Sequence, residues 1–137
     1  MRPLAEVASY LPQGNKEAFE KSELGRRLDI EAPDNLASML GFFDRPDPVT
    51  TARLLSAIAA DGPGVSRKQA AAIRVPTLVI GNGLDIVHPM DLARSLASHI
   101  PGAQFIEIAP KSLDKTVHAQ EFKAAVNKFL TQKDITS

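Results

Sequence analysis

The sequence has 137 residues, and its 16 Lys and Arg residues balance its 16 Asp and Glu residues. This length suits one domain, or one small domain with an appendage. The absence of net charge gives no reason to expect a nucleic acid or an anionic membrane as a partner. There is no cysteine, which excludes disulfide bonds, a thiolate nucleophile and a cysteine-based metal site. Because no apolar run is long enough to span a membrane and no signal pattern opens the chain, we expect a cytoplasmic protein.

Residues 1–72 are predicted to form an all-helical region of short amphipathic segments that Pro and Gly residues separate. A helix with Leu4, Val7, Ala8 and Leu11 at helical spacing comes first. A second helix is predicted from about Lys16 to Leu24, where Gly25 would end it. Asp34 or Asn35 is predicted to cap a third.

Two start signals follow in the same region. Asp47 is a capping acid, and Pro48 takes the first helical position after it. The apolar stripe expected on that helix comprises Val49, Ala52, Leu55, Ile58 and Ala59. Ser66 is predicted to cap a short helix that ends near Ala72. Helices as short as these need another surface against which to bury their apolar faces.

Residues 73–131 predict a β-α-β-α unit, and residues 132–137 a frayed tail. The predicted elements are a strand over 77–81, a helix over 90–99, a strand over 104–109 and a helix over 116–130. A strand, a helix and a second strand joined by short connections imply parallel pairing. The fold class is therefore α/β, a small parallel unit with a helical region before it.

The first of these strands is apolar throughout, which is typical of a strand buried on both faces. The buried face of the next helix is predicted to carry Leu92, Leu96 and Ile100. The buried face of the last helix is predicted to carry Phe122, Ala125, Val126, Phe129 and Leu130. Asp85 follows the glycine-rich corner at the carboxyl end of the first strand, and in open α/β sheets ligands bind at that end.

The segments IRVPTLVIG at 73–81 and DIVHP at 85–89 resemble the closing half of α/β-hydrolases. LARSLA at 92–97, IPGA at 100–103 and FL at 129–130 continue the resemblance. It implies a Ser–His–acid hydrolase in which Asp85 is the triad acid, orienting a histidine. It also implies that residues 1–72 are a lid-like region that lines the pocket for a small ester or lactone. On residue type and spacing alone, Asp85 is better explained as a residue that orders the turn or caps the next helix.

The serine and the histidine of the family's catalytic triad are not found at their usual positions. No serine of the sequence lies in a G-x-S-x-G nucleophile elbow. The loop after the second strand, 110–115, contains no histidine. His118 comes later and is a candidate catalytic base if the loop folds back, and otherwise a solvated or capping residue. His88 is close enough to Asp85 to bond it locally, and His99 suits a helix C-terminus.

No cofactor or metal is expected. The corner at Gly81 and Gly83 imitates the start of a dinucleotide fingerprint, but Ile86 occupies the position of its third glycine. Asp85 and His88 would provide two metal ligands without a third.

Two hypotheses of function remain. In the first, the chain is the C-terminal portion of an α/β-hydrolase, not competent alone, which acts on a small-molecule substrate when complete. In the second, it is a non-catalytic binding or interaction module descended from that fold. Because two strands leave edges unpaired, we expect a homo-oligomer or a partner chain that completes the sheet.

Overall fold

The computed structural model describes residues 3–62 and 64–132. The chain divides into two compact units, Met1–Gly64 and Val65–Ser137. Apart from Gln132, the predicted tail lies outside the described residues. The first unit is helical and the second contains the sheet, so the described residues are mostly helical with a small parallel sheet.

The first unit contains five α-helices in its described residues: α1 (Pro3–Tyr10), α2 (Lys16–Glu20), α3 (Glu23–Glu31), α4 (Pro33–Leu40) and α5 (Pro48–Ala60). Two 3₁₀ turns, Leu11–Gln13 and Gly41–Asp44, follow α1 and α4. The predicted start signal before α5 is confirmed, because the Asp47 side chain accepts the backbone N–H of Thr50.

The core of this unit lies where α1 packs against α5. Its largest fully buried side chains are Val7, Leu11, Phe19, Leu28 and Met39. The predicted stripe on α5 is confirmed only in part. Ala52, Leu55 and Ala59 are buried, whereas Val49 and Ile58 are half exposed.

Two predicted helix boundaries in this unit are wrong. Gly25 does not end a helix but lies within α3, where its backbone N–H donates to Ser22 Oγ at 3.0 Å. The serine cap begins a new helix at this point. Helix α4 begins at Pro33 after Ala32 and is not capped by Asp34 or Asn35, since proline is already preorganised for the first helical position.

The Asp47 cap makes the stability of the first unit depend on pH. The backbone hydrogen bond from Thr50 holds the pKa of Asp47 below its ordinary value of 3.8. The folded-state pKa is the lower one, so the stabilisation is complete above the unfolded value and is lost as the pH falls through the folded value.

We expect Asp47→Asn to lower the melting temperature at neutral pH. The difference in melting temperature between the variant and the unchanged protein should become smaller as the pH falls below 3.8, the ordinary pKa of this carboxyl group. Thermal unfolding followed by circular dichroism across the acid range measures it. The same difference in melting temperature at neutral and at strongly acid pH would show that the Asp47 charge does not stabilise the first unit.

The second unit contains α6 (Arg67–Ala70), β1 (Leu78–Gly81), α7 (Met90–His99), β2 (Gln104–Glu107) and α8 (Lys115–Leu130). Ser66 caps α6 with a reciprocal hydrogen bond to Gln69, as a capping box. The predicted parallel pairing is confirmed, with Leu78 opposite Gln104 and Gly81 opposite Glu107. Both strands are shorter than predicted.

Helix α7 is held against both strands. A Cβ added at Gly81 would lie 3.0 Å from Met90 Sδ and 3.3 Å from Ala93 Cβ, so the glycine permits close approach of α7 to β1. Arg94 donates to Glu107 at 2.6 Å, and its guanidinium lies 4.8 Å from the centre of the Phe105 ring. These contacts fix α7 over the end of the sheet where the Asp85 loop begins.

The predicted burial of this unit is wrong in several places. Val79 is buried, but Leu78 and Ile80 are only partly so. On α7, Leu92 is 66% and Leu96 47% exposed, and only Ile100 just after it is buried. On α8, Ala125 is buried while Phe122 and Leu130 are exposed. Two strands offer too little surface to cover these faces.

Candidate functional site

The candidate site is the loop between β1 and α7, at the carboxyl end of β1. Asn82 Oδ1 accepts the N–H of Leu84 at 3.2 Å, which forms the corner. Asp85 Oδ1 accepts the backbone N–H groups of Val87 at 3.0 Å and of His88 at 2.9 Å. The carboxylate therefore orders the turn, one of the two roles that the sequence left open.

His88 completes a local pair with this acid. Its Nδ1 lies 3.1 Å from Asp85 Oδ2. The side chain of Asp85 is 21% exposed and that of His88 81%. A partly sheltered carboxylate thus lies against an accessible imidazole.

The structure places His118 in the first turn of α8, with Nδ1 2.7 Å from the carbonyl oxygen of Ala109. Because a carbonyl oxygen only accepts, Nδ1 carries the hydrogen. In a Ser–His–acid site that same N–H donates to the acid. In this structure it binds the backbone at the end of β2 instead.

Glu121 joins His118 in holding Ala109. Its carboxylate accepts the Ala109 backbone N–H at 2.6 Å, so α8 satisfies both backbone groups of that residue. Glu121 was not predicted from the sequence. The spacing could have indicated it, because an acidic residue three positions after a histidine lies on the same face of a helix.

An open groove of about 300 Å³ runs between β2 and α8. Its apolar lining comes from Ile106, Ile108, Ala124 and Ala125, with Glu107, Glu121 and Lys128 beside them. Glu107 already pairs with Arg94 and Glu121 with Ala109. The surface that the groove presents is therefore mainly apolar.

Within residues 3–62 and 64–132, no three His, Cys, Asp or Glu side chains come together in a way that could hold a metal ion. The described helices also include none with the length and apolar character needed to cross a membrane.

No family model matches the chain, and no curated protein matches it. Among solved structures it is similar to an enol-lactonase from Burkholderia xenovorans LB400, with 26% identity and a TM-score of 0.62 over 95% of this chain and 50% of that one. It is also similar in fold to a hydrolase from Pseudomonas aeruginosa PA01, with 20% identity and a TM-score of 0.57 over 96% of this chain and 52% of that one.

The chain therefore spans about half the length of the solved structures it matches. A small parallel sheet, helices before it and this likeness together support a partial α/β-hydrolase-like fold.

Proposed function

We propose that this chain is the C-terminal portion of an α/β-hydrolase-like protein that acts on small esters, lactones or related substrates when complete, with Asp85 as the triad acid that orients a histidine. The observation that carries the proposal is the Asp85 carboxylate itself. Two backbone N–H groups anchor it just beyond β1, and it faces an imidazole at 3.1 Å. The similarity to an enol-lactonase supports the substrate class.

The chain by itself is proposed not to be catalytically competent. It has no G-x-S-x-G elbow, and the N–H of His118 that a triad acid would need is bound to Ala109. We expect the isolated chain to give no saturable hydrolysis of p-nitrophenyl acetate above an unrelated protein of equal concentration. Saturable turnover that disappears when a single serine is replaced would show that the chain does contain a serine nucleophile.

The proposed partner completes the sheet at the outer edge of β1. The carbonyls of Thr77 and Gly81 accept hydrogen bonds from β2. In a parallel ladder, alternate residues point to opposite edges, so the backbone groups of Leu78 and Ile80 face outward. Helix α7, which packs on both strands, exposes Leu92 and Leu96. An open strand edge and exposed apolar side chains in the same unit favour association.

We expect size-exclusion chromatography with light scattering to give a mass above the 14.7 kDa of one chain. Leu96→Glu should lower that mass, because burying an unpaired charge in an apolar contact is costly. Leu113→Glu is the matched control, since Leu113 is 73% exposed in the loop before α8. A compact, stable monomer for the unchanged chain would contradict the expectation.

The second candidate function is a non-catalytic interaction module, and the Ala109 contact favours it. There, His118 and Glu121 only secure the end of β2 to α8, and the Asp85 loop only shapes a surface. The two candidates differ in the complete assembly. If Asp85→Asn leaves hydrolysis by that assembly unchanged, the module is favoured, and loss of hydrolysis favours the enzyme.

A further inference from the structure

We propose that His88 is the proton acceptor of this site, oriented by Asp85, in the role that the family resemblance would assign to a later histidine. The inference rests on the proposed hydrolase function and names a second residue of the same site. The two oxygens of Asp85 contact different partners.

One oxygen holds the loop and the other holds the ring. Oδ1 accepts two backbone N–H groups from residues only two and three positions further on. The orientation of the carboxylate is thus set within its own loop. Oδ2 is left facing His88 Nδ1 at 3.1 Å. A carboxylate only accepts hydrogen bonds, so Nδ1 carries the hydrogen and the neutral ring has its lone pair on Nε2.

The other two histidines have different partners. His99 Nδ1 lies 2.6 Å from the carbonyl oxygen of Ser95, and His118 Nδ1 lies 2.7 Å from that of Ala109. Both partners are neutral. A carboxylate stabilises the imidazolium that forms when a histidine takes up a proton, and a neutral carbonyl does so much less. Of the contacts described for the three rings, that of His88 best suits proton transfer.

Exposure favours the same residue. The His88 side chain is 81% exposed, so water and a substrate reach Nε2, while Asp85 is 21% exposed and partly sheltered from solvent. A proton acceptor has to be accessible, and the acid that orients it works best where water does not compete for its oxygens.

The chemical step is general-base hydrolysis of an ester or lactone by water. As the water oxygen bonds to the acyl carbon, one of its protons passes to His88 Nε2, and Asp85 stabilises the resulting imidazolium. When the acyl–oxygen bond breaks, that proton passes to the leaving oxygen, so an ester gives a carboxylic acid and an alcohol and a lactone gives one hydroxy acid. The step belongs to the complete protein, since this chain by itself is proposed not to be competent.

The experiment uses diethyl pyrocarbonate, which transfers an ethoxycarbonyl group to an unprotonated imidazole nitrogen and releases ethyl carbonate. Peptide mass spectrometry follows the modification rates of all three histidines in the same sample. At about pH 8, roughly where an ordinary imidazole is neutral, protonation of the ring does not set the rate. Since an amide presents either its oxygen or its NH₂ group to the ring, Asp85→Asn should then slow the modification of His88 by about threefold or more. The rates of His99 and His118 should not change. His118→Ala is the matched variant and should leave the rate of His88 unaltered.

An unchanged His88 rate in Asp85→Asn would overturn the proposal. A second measurement needs no variant. In ¹⁵N spectra of the unchanged chain near pH 8, roughly where an ordinary imidazole is neutral, His88 should be in the Nδ1–H form. Finding it in the Nε2–H form would overturn the proposal even if the variant failed to fold. Neither measurement involves hydrolysis of an ester, so they separate failure of this pair from failure of the proposed hydrolase function.

Discussion

Replacing Phe19 by alanine is expected to lower the free energy of unfolding of the Met1–Gly64 unit by about 3–5 kcal/mol. The ring is fully buried. It lies edge-on to Tyr10, with ring centres 5.7 Å apart, and 6.0 Å from the centre of the Phe43 ring. The loss combines the transfer free energy of the ring, the cavity it leaves and two aromatic contacts.

Hydrogen exchange of peptides within residues 3–62 measures this change, because amides that exchange through unfolding of the unit lose protection together. Phe122→Ala is the control, since that ring is 50% exposed on α8 and its removal leaves a smaller cavity or none. Equal losses from the two substitutions would mean that Phe19 is not the centre of the first unit.

Gly25→Ala is expected to destabilise the same unit by about 1–3 kcal/mol. A Cβ at this position would lie 2.2 Å from the carbonyl oxygen of Phe19 and 2.6 Å from that of Glu20. Alanine is the better helix former by about 1 kcal/mol, so propensity alone predicts a gain. We expect the clash to prevail, because the opposing atoms are backbone and any movement displaces the buried Phe19 ring.

Gly41→Ala is the matched control. Gly41 has ordinary helical angles, φ −63° and ψ −18°, and an added Cβ would meet nothing within 4 Å. There the loss of unfolded-state entropy should stabilise the protein by about 0.4–1 kcal/mol. Chemical denaturation of both variants measures the difference. A stabilised Gly25→Ala variant would show that α2 and α3 separate at little cost.

The candidate site was predictable in one half only. The position of Asp85 follows from an apolar strand and a glycine corner, both of which are local signals. Its partner was not decided by the sequence. From the sequence, either His88 or His118 could pair with Asp85. The structure brings Asp85 together with His88, whereas the ring of His118 binds Ala109. Which ring meets which oxygen depends on how α8 lies against the end of β2.

The sequence by itself determined the features that depend on neighbouring residues. Short-range hydrogen bonding produces the helix caps at Asp47 and Ser66. The alternation of strand and helix after residue 73 and the short connections between these elements imply the parallel pairing. The caps involve residues a few positions apart, and the pairing depends on one short crossover, so a residue pattern is enough to predict them.

Only the tertiary structure decided what is buried. The spacing of Leu92 and Leu96 on α7 is that of a core face, yet both are exposed, and Gly25 is retained inside a helix because α2 passes too close for a side chain. Periodicity identifies which side chains would benefit from burial. Whether they are buried depends on a second surface being present, and two strands do not provide enough of one.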